Sequence, residues 1–225
     1  MKKSIITLGI LCAVFAGCKQ KPNEPDKEKF ESVLMEAMEA WEQQQSQENQ
    51  VITTIMERRS IRKYKPQAVE RDKMDIILRC GINAPNGQNK QSWEVRVVDN
   101  PQLLDEMREA MAKGHPDLNP EMVKGCFRDA PTMVFIARDP AYDFSAYDCG
   151  LLAENMVLSA WSMGIGSICL GSPVRFLTDN DVCKPLVEKL GFSEGYELSL
   201  CVGFGYPDEA PASKPRDWNK VQYVD

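Results

Sequence analysis

Four short stretches of the chain carry side chains whose types and spacing suit chemistry on a bound ligand. The first is Arg58-Arg59-Ser60-Ile61-Arg62-Lys63. Guanidinium forks beside a hydroxyl match the oxygens of a phosphate group. Arg58 and Arg62 stand four apart and share a face if a helix continues through them. Cations at such a place also serve the C-terminal end of a helix dipole. The second stretch is Asn86-Gly87-Gln88-Asn89-Lys90-Gln91-Ser92-Trp93. Its carboxamides both donate and accept, so they can read a ring edge on which acceptor oxygens flank an N–H. By itself, Asn-Gly is a turn signal. The third is Gly164-Ile165-Gly166-Ser167-Ile168-Cys169-Leu170-Gly171-Ser172. A dinucleotide fingerprint follows a strand and opens a helix; here a helix precedes and a strand follows, which excludes it. Gly171-Ser172 at the strand end still permits close backbone approach to a ring, or forms a simple turn before Pro173. The fourth, Lys214-Pro215-Arg216, follows Gly203-Phe204-Gly205-Tyr206-Pro207 and taken alone is a solvated basic tail.

The elements between these stretches alternate. Val51, Ile52, Ile55 and Met56 start a helix that runs into Arg58-Arg59-Ser60, and Met74, Ile77 and Leu78 mark a second, ended by Gly81 and Ala84-Pro85-Asn86-Gly87. Trp93–Val98 reads as a strand. Leu103–Met111 is helical, Glu121–Phe127 is a short helix, and Thr132–Ala137 is a strand. Asp148–Met163 is the clearest helix; Gly164-Ile165-Gly166 ends it and Ser167–Leu170 is a strand. Asp179 or Asn180 caps a helix through Leu190, and Tyr196–Val202 is the last strand. Strands embedded among helices predict an α+β or α/β domain with both sheet faces covered.

Composition narrows the function classes. The chain has 225 residues and a net charge of -6. No overall basic field points to nucleic acid, so any anion site is local. One histidine, His115, excludes a His-rich metal site, and no Gly-x-Ser-x-Gly elbow supports a triad on it. It precedes Pro116 in a polar stretch and reads as an exposed loop residue. Eight cysteines without a Cys-x-x-Cys pair argue against a zinc ribbon or a thioredoxin-like motif. Cys80, Cys126, Cys149, Cys169, Cys183 and Cys201 read as small buried hydrophobes.

The N-terminus reads as an address. Met1-Lys2-Lys3, an apolar run from Ile5 to Phe15 and the small residues Ala16-Gly17 make a secretory signal over residues 1–17. Cys18 follows directly, and the arrangement resembles a bacterial lipobox, in which that cysteine carries the lipid. Residues 18–50 then comprise a polar tether containing Pro22 and Pro25 and an amphipathic helix with Phe30, Val33, Leu34, Ala37, Met38 and Trp41 at helical spacing. Export to a bacterial membrane surface is the expected location, with residues 51–225 as the folded domain.

Taken in order, the four stretches resemble the FMN-dependent nitroreductase family. The family pattern opens with Arg-Arg-Ser-x-Arg, here Arg58 to Arg62. An Ala-Pro-Ser-x-x-Asn-x-Gln-Pro-Trp segment follows, here Ala84 to Trp93 with Asn86 for Ser and Ser92 for Pro; both changes retain polar capacity. Glu154-Asn155 on a helix, a Gly-x-Gly turn, Gly-Tyr-Pro and Lys214-x-Arg216 complete it. The resemblance implies a three-layer α-β-α fold with a mostly antiparallel central sheet. It also implies a domain-swapped homodimer with two FMN sites at the subunit interface. Arg58, Ser60, Arg62, Lys214 and Arg216, with Arg59 nearby, would hold the phosphate and ribityl chain. Asn89, with Gln91, would read the pyrimidine edge, and backbone at Gly171 and Ser172 would sit by flavin N5.

The implied activity is two-electron transfer through flavin N5 from NAD(P)H or another donor to a nitroaromatic, quinone or similar small acceptor. The cofactor carries that chemistry, so no protein acid, base or metal is assigned. The same fold also implies two alternatives, a reductive dehalogenase and a flavin-fragmenting enzyme. A lipid-anchored flavin-binding protein without catalysis is the non-enzymatic alternative.

Overall fold

The computed structural model describes Ser32, Val33, Met35, Glu36 and residues 49–224. Two compact units divide after Asn49. In the first, the described residues at 32, 33, 35 and 36 are helical. The signal segment, Cys18, most of the tether and the remainder of the Phe30–Trp41 helix lie outside the described residues.

The second unit begins with α1 (Gln50–Glu57) and α2 (Arg71–Ile82), followed by β1 (Trp93–Val98), α3 (Pro101–Gly114) and α4 (Pro120–Lys124). Then come β2 (Thr132–Arg138), α5 (Ser145–Ser162), β3 (Gly166–Leu170), α6 (Ser172–Thr178), α7 (Lys184–Lys189) and β4 (Glu197–Gly205). The strands form one sheet in the order β1-β2-β4-β3, with every neighbouring pair antiparallel.

Alternation along β2 builds a core on each side of the sheet. Successive strand side chains point to opposite faces, so Met133 and Phe135 join Leu104, Met107 and Phe176, whereas Val134 and Ile136 join Ile77, Leu152 and Met156. Helices therefore cover both faces, and the domain is a three-layer α+β fold. On β4 the alternation breaks. Ile136 pairs with Leu200 and Ala137 with Leu198, leaving Ser199 as the extra residue of a bulge. Leu198 consequently packs in the first core and Leu200 against the second, although they stand two positions apart.

The turn from α5 into β3 explains two glycines. Gly164 has φ +73°, the left-handed conformation that closes a helix, and the Ile165 N–H reaches back to the Ala160 carbonyl at 2.9 Å. Gly166 enters the strand against Ile61.

Several expectations change. Gly81 lies inside α2 rather than ending it, where α2 packs on α5: a Cβ there would fall 2.5 Å from Met156 Cγ. The helix expected from Asp179 or Asn180 to Leu190 begins only at Lys184, as α7, and a separate short helix, α6, precedes it; each has a proline in its first turn. Asn180 caps the intervening turn, its Oδ1 accepting from Cys183 N at 3.1 Å. His115 is half-buried, not an exposed loop residue. Its ring lies 5.0 Å from that of Phe176, and its Nε2 is 3.2 Å from the Phe176 carbonyl oxygen and 3.2 Å from Asn180 Nδ2. Cys126, Cys149, Cys183 and Cys201 are buried as expected, with burial pushing the Cys149 thiol up to about 11. Cys80 is half-buried and Cys169, on edge strand β3, is exposed.

The tight α2–α5 contact yields a stability test. Gly81→Val forces a branched side chain against Met156 and should lower stability by about 1–3 kcal/mol, read as a fall in the urea midpoint with an unchanged slope.

Candidate functional site

The basic stretch is held by backbone pairing, not by a helix. α1 stops at Glu57. Arg59 Nη1 donates to the Met56 carbonyl at 2.7 Å, so this side chain serves the helix end, as the dipole argument allows. Arg58 and Arg62 do not share a helical face, because the chain becomes extended between them. Ser60 pairs with Ser167 at the start of β3, and the buried Ile61 donates its N–H to the Ser167 carbonyl at 3.0 Å. Tyr64 pairs with Pro207 beyond β4, Lys65 N–H donates to Tyr206 O at 2.9 Å, and Asp208 N–H donates to Lys63 O at 3.0 Å. The Arg62 N–H donates to the Glu209 carboxylate. Residues 60–65 thus lie between β3 and the chain that leaves β4.

That pairing brings the first and fourth stretches together. Arg58, Arg59, Ser60, Arg62, Pro211, Ala212, Lys214 and Arg216 line one cleft of about 120 Å³. Arg62 Nη1 donates to the Ser60 carbonyl and Arg216 Nη1 to the Lys214 carbonyl, both at 3.1 Å. Among the described residues no carboxylate forms an ion pair with any of the five cations. Five like charges around one cleft repel each other. A bound phosphate, multiply charged and rich in acceptor oxygens, removes that repulsion.

The tail's approach is anchored from below by Tyr206. Its hydroxyl donates to Glu70 Oε2 and accepts from Lys73 Nζ, each at 2.6 Å. The Tyr206 hydroxyl is the main cause that holds the Glu70 carboxyl down to about 2; the backbone and Lys73 add to it.

The carboxamide stretch forms a tight loop. Gln88, Asn89 and Gln91 have φ 55°, 54° and 50°. Asn89 and Gln91 are exposed, and Asn86 Oδ1 accepts the Gln91 N–H at 2.9 Å. Sequence reasoning missed Asp148, whose carboxylate accepts from both Gly87 and Ser92. A lone acidic residue in the first turn of a helix carries no signal of that role, because its partners lie 61 and 56 residues away. Asn155, part of the expected motif, donates to the Cys80 carbonyl at 3.1 Å and ties α5 to α2.

Gly171 has φ −90° and ψ −31°, so its conformation does not require glycine. A Cβ there would meet nothing within 4 Å, which leaves the end of β3 open to a ligand. Ser172 opens α6 instead of a simple turn.

The sheet topology sets these groups apart within one chain. The basic cleft lies at the start of β3, level with Phe204 of β4. Gly171 follows the opposite end of that strand. The loop ending at Ser92 leads into β1, the other edge of the sheet. Three strand spacings separate β1 from β3, about 14 Å at roughly 4.8 Å each. Asn89 and Gln91 are therefore not brought to the basic cleft of their own chain. A larger groove of about 340 Å³, lined by Arg71, Met74, Asp75, Leu78, Val97 and Asp99, contains none of the expected site residues.

Residues 55–206 match the family model described as "Nitroreductase family". The chain belongs to the nitroreductase family. A protein of Archaeoglobus fulgidus assigned as an NADH dehydrogenase/NAD(P)H nitroreductase is 31% identical over 160 residues, covering 69% of this chain and 84% of that one. An NADPH-flavin oxidoreductase of Vibrio harveyi is 28% identical over 175 residues, covering 75% and 70%. A crystal structure of a nitroreductase with bound FMN from Desulfitobacterium hafniense superposes with a TM-score of 0.71 at 30% identity, covering 79% of this chain and 99% of the other. The matched span takes in the Arg58–Arg62 stretch, the carboxamide loop and the strand ending before Gly171. Lys214 and Arg216 of the cleft lie beyond it.

The Tyr206 anchor yields a pH test. The Glu70 pKa is depressed on folding from an ordinary 4.5 to about 2, so its contribution to stability is full above 4.5 and is lost as pH falls through about 2. Thermal midpoints of Glu70→Gln should therefore fall less than those of the parent protein between pH 4.5 and 2. Parallel curves for the two proteins would contradict the anchor.

Proposed function

We propose that this nitroreductase-family chain is an FMN-dependent oxidoreductase that takes two electrons from NAD(P)H or another donor and passes them to a small organic acceptor such as a nitroaromatic or quinone. The observation that carries the reading is the cleft of five cations and Ser60 with no carboxylate ion-paired to them among the described residues. In an acidic chain of net charge -6, such a concentration of unneutralised positive charge calls for an anionic ligand.

Arg58, Ser60, Arg62, Lys214 and Arg216 would hold the phosphate through charge-assisted hydrogen bonds. Arg59 adds charge while its guanidinium is engaged at the end of α1. Backbone at Gly171 and Ser172 would approach the ring, since a Cβ at Gly171 meets nothing within 4 Å. When bound, FMN supplies two-electron chemistry at N5. The protein would supply grip and orientation.

Asn89 and Gln91 reach a flavin edge only from a second copy, since their own cleft stands at the opposite sheet edge. A domain-swapped homodimer, with two FMN sites between the copies, satisfies that requirement. It also accounts for apolar surface that one copy leaves in water. Met56 is 69% exposed, Tyr147 70% and Tyr223 94%, and Ile55, Phe144, Leu151 and Trp218 are exposed as well.

The lipobox-like segment supports export and attachment of Cys18 to a bacterial membrane surface. Free NAD(P)H is scarce there, so a membrane-bound donor is the counterpart that this location requires. Cys18→Ser should release the protein from the membrane fraction; an unlipidated parent protein in the cytosol would sink the location and restore NAD(P)H as an ordinary donor.

The cofactor reading is tested by the visible spectrum of the purified chain and its bleaching by NADH or NADPH without oxygen. Yellow protein that bleaches supports flavin and donor together. Colourless protein that takes up no added FMN refutes the reading. Arg62→Ala and Arg216→Ala should each weaken FMN binding by about tenfold, the value of one charge-assisted contact. Affinity unchanged from the parent protein in both variants would break the residue assignment. Sedimentation should give twice the monomer mass.

A further inference from the structure

Both ends of the carboxamide loop meet one buried carboxylate. Asp148 is 3% exposed and lies in the first turn of α5. Its Oδ1 accepts the Gly87 N–H at 3.0 Å, and its Oδ2 accepts the Ser92 hydroxyl at 2.8 Å. Between these anchors Gln88, Asn89 and Gln91 hold positive φ. L residues visit that region rarely, and such backbone persists only where its surroundings enforce it.

The anchors are themselves held. The Ser92 carbonyl accepts the Asp139 N–H at 3.0 Å, which continues the β1–β2 pairing. Gly87 lies against Tyr142, where a Cβ would fall 2.0 Å from the hydroxyl oxygen. Lys90 Nζ stands 4.3 Å above the same ring. A buried carboxylate oxygen without a donor is costly, so the Ser92 hydroxyl matters to Asp148 as much as Asp148 matters to the loop. The family pattern has Pro at this position, which offers no hydroxyl.

We propose that Asp148, paired with Ser92, is a positioning residue of the flavin site: it clamps residues 87–92 in the shape that presents the Asn89 and Gln91 carboxamides to the ring edge of the cofactor. This rests on the FMN reading above. Asp148 acts through the loop and touches no cofactor atom, so its loss weakens flavin binding by letting the loop relax.

The test uses the full chain with four variants: Asp148→Ala, Asp148→Asn, Ser92→Ala and the double alanine. FMN affinity is read by quenching of flavin fluorescence, and amide hydrogen exchange at residues 87–92 is read without flavin. Asp148→Ala should weaken FMN binding by about tenfold or more and Ser92→Ala by about threefold, with the double variant no weaker than Asp148→Ala because the two groups act as one unit. Exchange at residues 87–92 should accelerate in both single alanine variants. Asp148→Asn should recover most of the affinity, since Oδ1 still accepts from Gly87 and the new amide can donate to Ser92 Oγ. A merely structural loss would not be rescued in this way.

Unchanged affinity and exchange in Asp148→Ala would overturn the proposal, as would effects that add fully in the double variant. If Asp148→Ala fails to fold, Ser92→Ala decides alone, and parental affinity and exchange in it refute the clamp. Parent protein that takes up no FMN refutes the cofactor reading and the flavin role of the clamp together. Faster exchange in the variants would then show a loop clamp without a flavin.

Discussion

The site depends on one stretch of backbone pairing. Residues 60–65 are pinned on one side by the Ile61 N–H to the Ser167 carbonyl and on the other by the Lys63, Lys65, Tyr206 and Asp208 exchanges. Side chains alone could not hold Arg58 and Arg62 beside Lys214 and Arg216, because the cations repel. The backbone bonds and the burial of Ile61 supply the attraction that the charges lack. Glu209, accepting the Arg62 N–H, ties the returning tail to the same stretch. Tyr206, gripped by Glu70 and Lys73, fixes where that tail departs.

A second constraint acts at the opposite edge of the sheet. There a loop with three residues in a rarely populated conformation is held by a buried carboxylate on the adjacent helix. The two devices differ physically. The cleft is a concentration of unneutralised charge stabilised by pairing behind it, ready for an anion. The loop is a strained backbone stabilised by a satisfied anion beneath it, presenting neutral carboxamides. An electron-transfer cofactor with a phosphate at one end and a hydrogen-bonding ring edge at the other needs both. The sheet keeps them apart within one chain, which is why the proposed reading assigns their cooperation to a second copy.

Much of the fold was legible in the residues. The α2 and α5 helices follow from apolar residues at helical spacing, and β1 and β2 from short runs rich in β-branched and aromatic residues. Weaker elements were not. The α6 helix and the late start of α7 carry little signal, because each helix is short and has a proline in its first turn. The β4 bulge at Ser199 reverses which face Leu198 serves, a change that alternation alone cannot signal. His115 looked exposed because its partners, Phe176 and Asn180, lie more than sixty residues away.

The amino-acid sequence by itself determined the inventory of the site: which cations, hydroxyls and carboxamides exist, and in what order. It also determined membership of the nitroreductase family, since that order and spacing carry the family pattern. The tertiary structure alone decided which of these groups meet. It joined Arg58–Arg62 to Lys214 and Arg216 through pairing with β3, and it set Asn89 and Gln91 on the far edge. It also revealed Asp148 as the anchor of their loop. The physical reason is that hydrogen bonds and charges act across a few ångströms of space, whereas the residues that share them here lie from 56 to 158 positions apart in the chain.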